Sequence, residues 1–156
     1  MAVRPILIRR PPPAVWAVLC DGRRFADWVV GTHDSAPLDD DWPAVGSAIR
    51  YVVRLGPLSA RGRTVVRFHE PGRRIELEAR SRPAGTARIA IEVLPWGRDA
   101  TLVTVDEHPL TGAIRHLHNP LFEAALQLRH RLMLRNLARV VESSVEAPGE
   151  APGGSR

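Results

Sequence analysis

Lysine is absent from this chain of 156 residues: all 22 basic residues are arginine, against 17 acidic ones, for a net charge of +5. So complete a preference reads as coding bias rather than selection for phosphate. The arginines are scattered and interleaved with Glu and Asp, whereas a nucleic-acid stripe clusters them with exposed aromatics. A solvated mixed-charge surface is expected, and no nucleic-acid partner. Cysteine is almost absent too. Cys20 stands alone, which excludes a disulfide framework and a cysteine-based zinc site. Its place in an apolar helical run reads as a small buried hydrophobe. No apolar run approaches the roughly 20 residues that span a bilayer, so no stable membrane association is expected. Met1 to Arg10 lacks the apolar core and cleavage pattern of a secretory signal, and a cytoplasmic location is the expectation.

Several chemical signatures are missing as well. There is no Gly-x-Ser-x-Gly, no Ser-His-Asp order and no phosphate-binding glycine loop. Covalent catalysis and nucleotide use are not expected. His33, His116, His118 and His130 supply imidazoles, but none falls in a zinc-ligand spacing. Asp39-Asp40-Asp41 lacks the alternation and distal Glu of a calcium loop and reads as a solvated turn. No metal and no cofactor are expected.

Aromatic residues are scarce, with only eight in the chain. Two of the four tryptophans nonetheless sit beside turn glycines, in Trp28-Val29-Val30-Gly31 and Trp42-Pro43-Ala44-Val45-Gly46. They mark a helix-to-sheet corner. Around them the pattern is regular. Val3 to Arg9 alternates and reads as a strand. Pro11-Pro12-Pro13 opens a helix through Leu19, with Val15, Val18 and Leu19 on one face. A second short helix, about Arg23 to Val30, ends at Gly31, where a left-handed cap costs glycine little. A short strand, His33 to Leu38, follows. Five more come at the spacing of an antiparallel meander: Ser47 to Leu55, Ser59 to His69, Arg74 to Arg80, Ala87 to Val93 and Thr101 to His108. In the second of these, Thr64, Val66 and Phe68 share one face. In the third, Ile75, Leu77 and Ala79 alternate with Arg74, Glu76, Glu78 and Arg80, as in a half-buried strand with a charged outer face. Leu121 to Glu142 is one long helix with two apolar rows, Leu121, Ala125, Leu128, Leu132 and Phe122, Leu126, Met133, Leu137, Val140. Residues 1–142 form one domain, and the Gly- and Pro-rich residues 143–156 are expected to be a disordered tail.

An antiparallel sheet with one charged face must cover the other, and only the last helix is long enough. The expected fold is α+β: a curved antiparallel sheet of about seven strands around a long C-terminal helix, with two short helices after the first strand. Val15-Trp16 with Leu19, the two Trp-to-Gly elements, Gly56-Pro57-Leu58, Glu70-Pro71, Arg82-Pro83-Ala84-Gly85-Thr86-Ala87 and Glu107 together resemble the START-like superfamily. This superfamily is also called SRPBCC or helix-grip, and the likeness is to its polyketide cyclase/dehydrase-like bacterial branch.

The resemblance implies an internal cavity between sheet and helix that binds a small hydrophobic or amphipathic molecule, lipid- or polyketide-like. An enzyme of the polyketide cyclase/dehydratase kind is the alternative, and a co-chaperone-like interaction module a third reading. The outward faces, rich in Arg and Glu, speak against the third. The protein is expected to be a monomer or homodimer. Trp28, Trp42, Tyr51 and Phe68 are the expected aromatic wall, with Val53, Leu77, Ile89, Ile91, Val105 and Met133 completing the lining. Glu107 ends the row Thr101, Val103, Val105 and points toward the cavity, where burial would raise its pKa and suit it to acid–base work. The other reading pairs Glu107 with an inward Arg or leaves it in solvent. His33, just beyond the corner, is the second candidate for proton transfer.

Overall fold

The computed structural model describes residues 2–55, 57–81, 85–111 and 120–144. His116, His118, Gly56, the Arg82-Pro83-Ala84 turn and the tail from 145 onward lie outside the described residues. Seven strands form one antiparallel sheet: β1 (Ala2–Ile8), β2 (Thr32–Pro37), β3 (Ala48–Leu55), β4 (Leu58–Glu70), β5 (Arg74–Ser81), β6 (Gly85–Trp96) and β7 (Ala100–Thr111). Their order across the sheet is β1-β7-β6-β5-β4-β3-β2. β2 to β7 is therefore a continuous meander, and β1 closes it beside β7.

Helices α1 (Pro12–Leu19) and α2 (Phe25–Trp28) connect β1 to β2 across the whole sheet. Pro12 sits in the first turn of α1, where its missing N–H costs nothing. Val15, Val18 and Leu19 are its buried face. α2 is a single turn, shorter than the periodicity predicts, and Gly31 just after it has φ +85°, the left-handed geometry expected there. The long helix α3 (Pro120–Ser143) touches β1 at one edge of the sheet and α2, which itself packs on β2 at the other. One helix reaches both edges because the sheet curls around it.

The core lies between them. Ile75, Leu77, Ile91, Val93, Val103 and Val105 face Leu134, Leu137 and Val141 of α3, and α1 and α2 close the sides. The register aligns Leu77 with Ile89, Ile75 with Ile91, and Ile91 with Val105, so the alternation read in each strand adds up to one apolar face. The opposite face carries the expected ion pairs, Arg74 with Glu76 (2.7 Å) and Glu92 (2.6 Å), and Glu78 with Arg67 (3.0 Å). It is not uniformly charged. Leu7, Leu102 and Leu94 stand side by side on β1, β7 and β6, and Leu7 and Leu94 are exposed.

Two expectations fail for identifiable reasons. The ladder of β4 slips after Val66, which pairs with Leu77, so that Phe68 opposes Glu76. The extra residue, Arg67, is a bulge that inverts the alternation beyond it. Phe68 turns outward and is 43% exposed, while His69 turns inward opposite Ile75 and stacks on Trp16 at 5.7 Å. Among the described side chains of α3 the buried ones are His130, Met133, Leu134, Leu137 and Val141. Leu128 and Leu132, from the first apolar row, are exposed, because they lie about 200° around the helix from His130 and Leu134.

Candidate functional site

The inner face of the sheet is closed at one end and reachable at the other. Toward the β6–β7 turn, Ile91, Val93, Val103 and Val105 are sealed against α1 and α3. Toward the β5–β6 end, residues that share the inward register stay partly accessible: Ala79, Ala87 and Ile89, with Gly62 and Ser81 beyond them. Four of these five are Gly, Ala or Ser.

Polar groups gather at this end. Glu107 follows Thr101, Val103 and Val105 on the inner row of β7 and pairs with Ile89 of β6. Its carboxylate accepts a hydrogen bond from Nε2 of His130, and Arg129 Nη1 lies 3.5 Å from the same oxygen. His130 is fully buried, and Glu107 and Arg129 are 14% and 37% exposed. Since Nε2 faces a carboxylate it carries the proton, which leaves Nδ1 as the other ring atom, and Nδ1 has no partner among the described residues. Across the sheet, the Tyr51 hydroxyl donates to the Arg80 carbonyl at 3.4 Å.

The charges oppose the simplest expectation for Glu107. Burial alone pushes its carboxyl up; the hydrogen bond from His130 and the positive charge of Arg129 overcome that and hold it below its ordinary value. It is a carboxylate at neutral pH, not a raised acid. The alternative of pairing with an inward Arg is realised in part, with His130 as the nearer partner. Burial pushes the Tyr51 phenol up, so it stays protonated and donates. Burial also lifts the Cys20 thiol to about 11, which makes it a poor nucleophile.

The other expected lining residues divide by position. Val53 and Ile89 are partly accessible at the reachable end, and Tyr51 lies buried beside them, opposite Gly62. Leu77, Ile91, Val105 and Met133 are packed shut in the core. Trp28 is also core, set edge-on to Phe25 at 5.1 Å. Trp42 is half-buried and donates its indole N–H to the Cys20 carbonyl at 3.1 Å, pinning the corner to the end of α1. Trp42→Phe is expected to cost about 1 kcal/mol of unfolding free energy through that one bond; an unchanged urea midpoint would show the bond contributes nothing. Phe68 is on the outer face, as described. His33 is exposed, at the register break of β2 between Thr32 and Asp34, and does not face the interior. Among the described residues no three His, Cys, Asp or Glu converge as a metal site, and no helix is long and apolar enough to cross a membrane.

In the sequence His130 reads only as an imidazole outside any zinc-ligand spacing. Its signal was spacing: it precedes Met133 by three residues and Leu137 by seven, on the buried row.

Known proteins agree with this architecture. A START superfamily protein from Mycobacterium smegmatis superposes with a TM-score of 0.77 at 14% identity, covering 92% of this chain and 97% of its own. The ZhuI aromatase/cyclase from Streptomyces sp. R1128 gives 0.71 at 17% identity, over 96% and 98%. A protein from Nitrosomonas europaea gives 0.73 at 14%, over 92% and 94%. A search of curated proteins found no matching sequence. At these identities the structures establish the helix-grip fold alone. The sequence profile described as polyketide cyclase / dehydrase and lipid transport matches residues 2–142, and the chain belongs to that family.

Proposed function

We propose that the protein binds a small, largely apolar molecule with one polar end, between the sheet and α3. The observation that carries this reading is the contrast along the inner face. Ala79, Ala87 and Ile89 point inward yet remain reachable, beside an ionised carboxylate that the rest of the core would not tolerate unpaired. The apolar body of the ligand lies on Ala79, Ala87 and Ile89, and burial contributes roughly 25 cal/mol per Å². Its polar end meets Arg129, Glu107 and the Tyr51 hydroxyl, which fix its orientation.

The test is a narrowing of that space. Ile89→Trp is expected to weaken binding of an apolar fluorescent probe, 1-anilinonaphthalene-8-sulfonate, by about tenfold or more, with little change in unfolding temperature. Native mass spectrometry of the protein from its own host is expected to carry a co-purified small molecule. Probe binding that Ile89→Trp leaves untouched would place the ligand elsewhere.

A cyclase- or dehydratase-like enzyme is the second reading, favoured by the carboxylate–imidazole pair of Glu107 and His130. In it Glu107 orients the ring and stabilises its protonated form, while Nδ1 takes a proton from the substrate. Binding without catalysis is preferred because the carboxyl is held low and the ring is fully covered.

A further inference from the structure

The scattered arginines of the sequence are not scattered in space. Strand register sets Arg63 of β4 directly opposite Arg50 of β3 on one side and Arg80 of β5 on the other. Like charges directly opposite one another destabilise a sheet. Arg50 is offset by Asp34 at 2.8 Å, and Arg80 shares Glu78 with Arg67. Among the described residues Arg61 and Arg63 form no ion pair. Arg61, Arg63 and Arg80 are exposed and line one hollow of about 790 Å³, together with Gly62, Glu78, Ser81, Gly85, Thr86, Leu110 and Thr111. The one carboxylate among these, Glu78, lies 2.7 Å from the Arg80 guanidinium and is shared with Arg67, so it leaves Arg61 and Arg63 uncompensated.

The spacing of these arginines selects the ligand. Opposed residues on neighbouring strands stand about 5 Å apart, and residues two apart on one strand about 7 Å. Three guanidiniums thus rise from a triangle small enough for all of them to reach one anion. A single carboxylate brings one charge and two oxygens. A phosphate monoester brings nearly two charges and three acceptor oxygens, which suits three forked donors. The hollow is concave, which fits a small molecule better than a flat protein face. Leu110 offers apolar contact to whatever the phosphate is attached to, and Thr86 and Thr111 offer hydroxyls.

We infer that this hollow binds a phosphomonoester, with Arg61, Arg63 and Arg80 holding the phosphate. The hollow borders the interior space at Gly62 and Ser81, but its anion contacts are the outward arginines and need no interior ligand. The phosphate can belong to a soluble metabolite or to the head group of phosphatidic acid.

Titration of the full chain with phenyl phosphate at low ionic strength, followed by calorimetry and by amide shifts at residues 61–63 and 86, is expected to saturate at one site. Methyl phenyl phosphate, a diester with one charge, is expected to bind about tenfold more weakly, and Arg61→Gln and Arg63→Gln each to lose about tenfold. Arg98→Gln, an exposed arginine in the β6–β7 turn, serves as the control and is expected to change affinity less than about twofold. Co-sedimentation with phosphatidic acid vesicles, reversed by phenyl phosphate, would support the site and identify the lipid source. Phenyl phosphate binding without co-sedimentation would support it and identify a soluble one. Failure to saturate, equal binding of the diester, displacement only by an acidic peptide, or equal loss in Arg98→Gln would overturn the proposal.

Discussion

Gly62→Val is expected to destabilise the protein by about 3 kcal/mol, most of it through Tyr51. Gly62 sits on β4 directly opposite Tyr51 of β3, in ordinary extended backbone that any residue can adopt. What it lacks is room. A Cβ built there would lie 2.1 Å from Cζ of the tyrosine ring and 2.3 Å from its hydroxyl. The ring lies flat across the glycine on its way to the Arg80 carbonyl. Such cover of a strand glycine by a cross-strand aromatic is a recognised way to hold register. Any side chain at 62 forces the ring off the sheet, exposing an aromatic that is now buried and breaking its hydrogen bond. The expected signature is non-additivity. In a Tyr51→Ala background the ring is already gone, and Gly62→Val is expected to cost less than about 1 kcal/mol. Urea denaturation of the four proteins measures both values. An equal cost in both backgrounds would mean the clash is with something other than Tyr51. Because Tyr51 also borders the proposed ligand space, Gly62→Val is expected to weaken probe binding beyond its effect on stability.

The fold was legible because most strands obey their alternation without interruption. Ile75 and Leu77 went inward and Arg74, Glu76 and Glu78 outward as period two requires, and Ile89, Ile91 and Val93 did the same. Phe68 was not legible. The residue that displaced it, Arg67, is an ordinary outward arginine in composition, and the bulge exists only because of how β4 must bend to keep pairing with β5. The site was half legible. Glu107 could be placed by counting from Val103 and Val105 along one strand. Its partner His130 is 23 residues further on, on a helix whose buried side depends on how the helix docks on the sheet. The leucines at 128 and 132 argued for a different side and lost, since Met133, Leu137 and Val141 fit the curled sheet better. In the sequence Ala79 and Ala87 read only as residues of their strands. The partly accessible row they form with Gly62 appears only when three strands stand side by side.

Glu107→Ala should cost about 2–3 kcal/mol, chiefly by stranding His130. The imidazole is fully buried and its Nδ1 has no partner among the described residues, so removing the carboxylate leaves Nε2–H without its acceptor as well. Arg129 adds little to the loss, because it is more than one-third exposed and solvent takes over its hydration. Glu107→Gln keeps an acceptor oxygen in place and is expected to cost only about 1 kcal/mol. The difference between wild type and Glu107→Gln then isolates the charge. The folded carboxyl is held below its ordinary value of 4.5, so its ionised form favours the native state. That contribution is fully present above the unfolded value and is lost as pH falls through the folded one. Denaturation series are therefore expected to show a constant advantage of wild type from pH 7 down to about 5, shrinking below 4.5. An advantage that persists undiminished to the lowest pH at which the protein stays folded would mean Glu107 is not ionised against His130. The same two variants separate the two functional readings. If Glu107 only orients a ligand, Gln retains much of the probe affinity. If it backs a base at His130, Gln removes turnover of a poly-β-ketone substrate even where binding survives, because an amide cannot stabilise the imidazolium that proton transfer creates.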